Sequence, residues 1–199
     1  MSRAVAIVVL HESAMATARR IREHLPDARI HGRADGVDVV FESLGDHVRA
    51  LFRAGAPIVG LCAAGVLIRV LAPVLGDKRR EPPVVAVADD GSAVVPLLGG
   101  HRGGNALARD IAAALGVTAA VTTAGDARFG VALDEPPAGW RLANPDDAKP
   151  FVAALLGGAT VRLDGDAPWL ADSRLPFADA GELEIVVTDA AVAGSATRL

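Results

Sequence analysis

Residues 56–75 read "APIVGLCAAGVLIRVLAPVL". The opening "APIVGLC" is apolar or small throughout, with no polar residue at alternate positions. A strand with one wet face alternates, whereas a strand buried on both faces does not. From Ala63 the pattern becomes that of a helix, "AAGVLIRVLAPVL", with one charge at Arg69 and Pro73 near its end. A doubly buried strand that runs straight into a helix is the unit of a parallel sheet covered on both sides. This stretch therefore predicts an α/β fold.

The alternation extends both ways. Upstream, "AVAIVVL" reads as a strand, and "SAMATARRIREHL" as a helix exposing Arg19, Arg20, Arg22 and Glu23. A short strand or loop spans Val37 to Phe41, and "SLGDHVRALFRAG" is the next helix. Downstream, "PPVVAVADDGSAVVPLL" reads as two strands around a "DDGS" turn, a hairpin signal. A helix then runs to Leu115, and "VTAAVTTA" reads as a strand. The expected fold is α/β: a mostly parallel sheet with helices on both faces plus a hairpin, followed by a second, smaller α/β unit.

That second unit begins where the rhythm changes. "LDEPPAGW" is proline-rich, "NPDDAKPFVAALLGG" is a helix with Asn144 as N-cap and Pro145 in its first turn, and "TVRLDGDAPWL" is a short strand and loop. "ELEIVVTD" is the last strand. Charge shifts as well: residues 1–125 hold fourteen Lys and Arg against twelve Asp and Glu, and residues 126–189 hold five against twelve. The expected domains are 1–128 and 129–199.

Composition narrows the function. Two Trp, five Phe and no Tyr leave too few rings for a stacking surface on single-stranded nucleic acid. The net charge of −4 gives no general attraction to polyanions, so no nucleic acid is expected as partner. The apolar run Ala4–Leu10 is too short to span a bilayer and lacks a leader pattern, so no membrane association is expected. A single cysteine, Cys62, excludes an internal disulfide and suits the reducing cytoplasm. No two histidines have ligand spacing, and HExxH and CxxC are absent, so no metal is expected.

The residues most suggestive of chemistry lie in "VVPLLGGHRGGNALARDI", Val94 to Ile111. A dinucleotide loop needs glycines at i, i+2 and i+5; here they stand at 99, 100, 103 and 104. A P-loop needs Lys then Ser or Thr after its last glycine, but Asn105 and Ala106 follow Gly104. Neither nucleotide motif fits. Like "IVGLCAAG", this is a strand meeting small residues and a helix start, which favours an anion. If both junctions follow neighbouring parallel strands, they open on one sheet edge, where such folds bind ligands.

His101 is the best general-base candidate; its alternative is a helix-capping or loop-bonding histidine. Arg102 suits a carboxylate or plain solvent, and Asn105 a substrate carbonyl or a helical first turn. Cys62 precedes a helix start, although a buried structural cysteine is commoner than a nucleophile. Arg69, in an apolar helix, needs an acidic partner or an anion. Lys78, Arg79 and Arg80 form a solvated loop or the rim of an anionic pocket. His11, with Glu12 and Ser13, ends the first strand at a ligand-binding edge; His24, His31 and His47 read as surface. A G-x-S-x-G elbow is absent.

Together, "CAAG…R…LAP…DK" and "LLGGHRGGN" resemble the CbiG family, the cobalt-precorrin-5A hydrolases of cobalamin biosynthesis. The resemblance is dense from Pro57 to Thr123 and continues more weakly through "ANPDDAKPFVAALLGG" to "VVTD". The same region also occurs fused ahead of the precorrin-3B methyltransferase acting on carbon 17 of the ring. Stand-alone members carry a further C-terminal domain, so the resemblance implies a fragment of a longer protein, with 129–199 a truncated central domain.

The resemblance implies a substrate: a cobalt corrinoid whose δ-lactone opens to free an acetate arm and release acetaldehyde. Residue types at the matching positions then suggest roles. His101 is the base that activates water, and the N–H groups of Gly103 and Gly104 stabilise the oxyanion. Arg69, Arg79 and Arg102 hold carboxylates, with Cys62, Gly65, Lys78, Gly99, Gly100 and Asn105 completing the binding surface. No cofactor is expected; cobalt belongs to the substrate. Expected partners are the corrinoid, a fused or separate precorrin methyltransferase, and a second copy in a homodimer. The alternative is a non-catalytic tetrapyrrole-binding or handover module; a phosphometabolite enzyme is disfavoured by the failed nucleotide spacings.

Overall fold

The computed structural model describes residues 4–78, 80–137, 139–190, 195 and 197–199, and leaves out the His101 side chain. Its contacts divide the chain after Val121 into two units. In the first, β1 (Ala6–Val9) leads to α1 (Met15–His24), β2 (Arg29–Gly32), β3 (Val39–Val40), α2 (Leu44–Arg53), β4 (Ile58–Leu61) and α3 (Ala64–Leu71). Then come β5 (Val84–Val87), β6 (Val94–Leu98) and α4 (Gly104–Leu115). The sheet order is β3-β2-β1-β4-β5-β6. Strands β1 to β5 are parallel, and β6 returns antiparallel along β5.

The two-sided burial read from "APIVGLC" is realised by alternation between two apolar faces. Ile7, Val9, Val59, Leu61, Val85 and Val87 point to the side of α1 and α4, where Ile21, Ile111 and Leu115 meet them. Val8, Ile58, Val84 and Ala86 point to the side of α2 and α3, against Val48, Phe52, Leu67 and Leu71. Each of the Val, Ile, Leu and Phe side chains contributes about 1.5–3 kcal/mol on burial. Gly60 lets α3 approach, since a Cβ there would lie 2.8 Å from Leu67 Cδ1.

The hairpin forms where "DDGS" predicts it. Asp90 Oδ1 accepts from Ser92 N–H at 3.0 Å and from Ser92 Oγ at 2.6 Å, and Gly91 has a φ of 77°. Pro96 is tolerated in β6 because this strand is the last in the sheet order. The strand expected over 117–124 shrinks to one bridge, Val94 with Ala119. Strand β2 has no counterpart in the sequence reading; "RIHG" is too short and polar to signal one.

The second unit contains α5 (Ala124–Phe129), α6 (Pro145–Leu156), β7 (Val161–Asp164) and β8 (Leu183–Val186), with β7 and β8 parallel. Phe129, Phe151, Leu155, Leu170 and Leu183 fill its core. Pro145 opens α6 as expected. Asn144 does not cap through its side chain; its Nδ2 donates to Asp147 Oδ2 at 3.0 Å and to the Arg198 carbonyl at 2.8 Å. Among the described residues, no helix is long and apolar enough to cross a membrane.

Candidate functional site

The direction of β6 separates the two glycine-containing junctions. Leu61 pairs with Val87 at the carboxyl end of the parallel strands. Leu98 pairs with Val84, at their amino end. "LCAAG" therefore opens on one edge of the sheet and "GGHRGGN" on the other, so the shared edge expected from the sequence does not form. The hairpin reverses the chain before the second junction. The three strand steps between these levels alone separate the edges by about 10 Å.

At the amino-end edge, the turn after β6 has a left-handed Gly99, a 3₁₀ turn over Gly100–Arg102, a left-handed Gly103, and then α4. Its glycines are largely demanded by the chain itself. A Cβ on Gly99 would lie 2.6 Å from the Pro82 carbonyl, and one on Gly104 2.7 Å from the Leu98 oxygen. The Gly104 N–H, expected to face an oxyanion, instead donates to Gly99 O at 2.9 Å. Asn105 is buried at 7% exposure, with its Nδ2 3.6 Å from where a Gly100 Cβ would be. It packs beside Gly100 of the turn. His101 is the middle residue of the 3₁₀ turn, and its side chain lies outside the described residues.

The loop before β5 joins this turn. Arg102 Nη1 reaches the Arg80 carbonyl at 3.4 Å. Buried Glu81 accepts from Gly76 N–H at 2.9 Å, and Arg80 N–H donates to Asp77 O at 2.9 Å. Lys78, Arg80 and Arg102 are exposed, so three cations line one edge with the start of α4. Arg79 lies outside the described residues. The sequence does place most of its proposed site together: Lys78, Gly99, Gly100, Arg102, Gly103, Gly104 and Asn105.

Cys62 and Gly65 belong to the opposite edge. Arg69 needs no buried partner, because it is exposed and its Nη1 folds back to Gly65 O at 3.0 Å. Gly65 makes room for it: a Cβ there would lie 2.7 Å from that nitrogen. At this edge a cleft of about 480 Å³ is lined by Leu10, His11, Cys62, Val66, Asp89 and Val95, among others. It lies beside the point where strand order reverses between β1 and β4. Burial, and then the nearby Asp89 carboxylate, push the Cys62 thiol up to about 11, which disqualifies it as a thiolate nucleophile.

Two features escape the sequence reading. Asp89 lines the cleft, although "DDGS" reads only as a turn; the usable signal is that one aspartate suffices for that turn. His31 and His47 are not independent surface residues, because His31 Nδ1 and His47 Nε2 are 2.8 Å apart. Among the described residues, no group of three or more His, Cys, Asp or Glu could hold a metal ion.

Residues 46–126 match the family model described as Cobalamin synthesis G N-terminal. Two proteins named cobalt-precorrin-5A hydrolase are similar to the chain. The one from Salmonella typhimurium (strain LT2) is 34% identical over 134 residues, covering 65% of this chain and 38% of its own length. The one from Priestia megaterium is 32% identical over 126 residues, covering 60% and 34%. A solved structure from Sulfolobus solfataricus, described as a homolog of cobalamin biosynthesis protein G, is 21% identical with a TM-score of 0.49. That match covers 94% of this chain and 57% of the solved one. The chain thus spans little more than a third of the length of these curated relatives.

Proposed function

We propose that this chain, which belongs to the CbiG family through the domain matched at residues 46–126, takes part in cobalamin biosynthesis by hydrolysing a cobalt-precorrin-5A-like corrinoid. The observation that carries this reading is the joined amino-end edge, where the glycine turn and the loop before β5 present exposed Lys78, Arg80 and Arg102 beside a helix start. Corrinoid intermediates bear many carboxylates, and such an edge holds them without a nucleotide motif.

In the proposed reaction His101 takes a proton from water as its oxygen attacks the lactone carbonyl. The positive end of α4 stabilises the negative charge that develops on the carbonyl oxygen. The acyl C–O bond then breaks and the departing oxygen receives the proton, freeing the acetate arm. Loss of that hydroxyl proton forms the aldehyde C=O as the carbon–carbon bond to the macrocycle breaks, its electron pair passing into the conjugated ring, and the two-carbon fragment leaves as acetaldehyde. Lys78, Arg80 and Arg102 hold peripheral carboxylates throughout. Arg79, between Lys78 and Arg80 in the sequence, would join them.

A binding or handover role beside a methyltransferase is the second reading, since a cationic edge that holds carboxylates serves binding as well as hydrolysis. Incubating the chain with the lactone-form corrinoid and assaying acetaldehyde separates the two. Acetaldehyde at a multiple of the protein concentration is expected. Tight corrinoid binding with no acetaldehyde would instead establish the binding module.

A further inference from the structure

We infer that the carboxyl-end cleft is a second ligand site, which takes a small organic cation: an ammonium head on Asp89 with an apolar stem against Leu10, Val66 and Val95. It lies on the opposite edge from the proposed corrinoid surface, so the two readings stand or fall separately.

The hairpin turn is tied by Asp90, whose carboxylate takes both hydrogen bonds from Ser92. Among the described residues, no hydrogen bond or ion pair engages the Asp89 carboxylate, although the residue is only partly exposed. Its backbone, by contrast, is fixed from a distance. Buried Thr17 on α1 donates its hydroxyl to the Asp89 carbonyl at 2.7 Å. Residue 89 is thus anchored through its backbone, and it lines the cleft with a carboxylate that no described residue engages.

Charge decides the class of ligand. Asp89 is felt at Cys62, whose thiol stays protonated at neutral pH. Asp89 is the one carboxylate among the residues lining the cleft, which His11 also lines. The start of α3 beside it has the opposite effect, but a helix end carries about half an elementary charge. The full charge of Asp89 prevails, and a partly buried carboxylate gains most from a cationic hydrogen-bond donor. The volume of about 480 Å³ lies within the range of small-molecule sites, and the aliphatic walls suit an alkyl stem rather than a hydrated inorganic ion.

Cys62 is the chain's only cysteine and lines this cleft, so its alkylation by iodoacetamide at about pH 9.5, where enough thiolate forms to react and an alkylammonium is still charged, reports occupancy. The probe is n-butylammonium, with n-butanol and butyrate as size-matched controls. Saturable slowing of Cys62 alkylation by at least threefold is expected with butylammonium alone, with half-saturation at about millimolar concentration for so small a ligand. In Asp89→Asn, compared with its own unliganded rate, the protection is expected to vanish. No saturable protection in the wild-type chain would overturn the inference without any variant. Equal protection by butanol, or persistence in a folded Asp89→Asn, would overturn the role of the carboxylate.

Discussion

His31 and His47 tie the second strand to the second helix through two imidazole nitrogens 2.8 Å apart. One ring must donate and the other accept, so the contact needs at least one neutral ring. Phe41 stacks on His47 at 4.8 Å between ring centroids, and Arg33 lies over Phe41 at 5.7 Å. Burial, followed by the fields of His47 and Arg29, lowers His31 to about 4, against a smaller opposing pull from Asp38. Burial lowers His47 as well. Between pH 6.5 and 4 the unfolded chain binds the proton that folded His31 refuses, so stability falls as pH falls through that window. The loss from His31 is about 2 kcal/mol, below the full shift because hydration persists at its edge. Thermal unfolding between pH 7.5 and 4.5 checks this: the wild-type Tm falls with acid, and His31→Asn flattens that part of the slope. Equal slopes would remove His31 as the cause.

At the scale of elements, the turn between β6 and α4 shows how a motif can be legible and its placement not. The strand and helix on either side of its glycines form as read. What the residues could not show was the direction of β6, because the hairpin sends it back antiparallel along β5 and so moves the turn that follows it to the other sheet edge. That reversal puts the turn against Pro82–Pro83 rather than beside Cys62. It also gives the glycines unequal duties. Gly99 has a φ of 70°, and a Cβ on it would meet backbone at 2.6 Å. Gly100 would place a Cβ 3.6 Å from Asn105 Nδ2, an ordinary contact. Gly99→Ala should therefore cost at least about 2 kcal/mol from the left-handed backbone and the collision together, whereas Gly100→Ala should stay within about 1 kcal/mol of wild type. Chemical denaturation of the two variants measures this difference, and comparable losses would show that the turn does not pack as described.

For the whole molecule, periodicity and apolar runs exposed the α/β class because β1, β4 and β5 are apolar throughout, whereas buried β2 carries no such signature. The candidate site was legible as residue types: a histidine, glycines and a cationic loop without a nucleotide pattern. Its division between two sheet edges was not, since that depends on pairing distant in sequence. The surplus aspartate at the hairpin was hidden for a similar reason, as its neighbour satisfied the turn by itself. The account of function rests on the cationic amino-end edge and on His101 within it. Steady-state acetaldehyde release from the lactone-form corrinoid by His101→Ala tests that most directly. A general base contributes about 10²–10⁴ in rate, so kcat should fall at least 100-fold while corrinoid affinity changes by less than about threefold. Undiminished kcat in this variant would contradict the account.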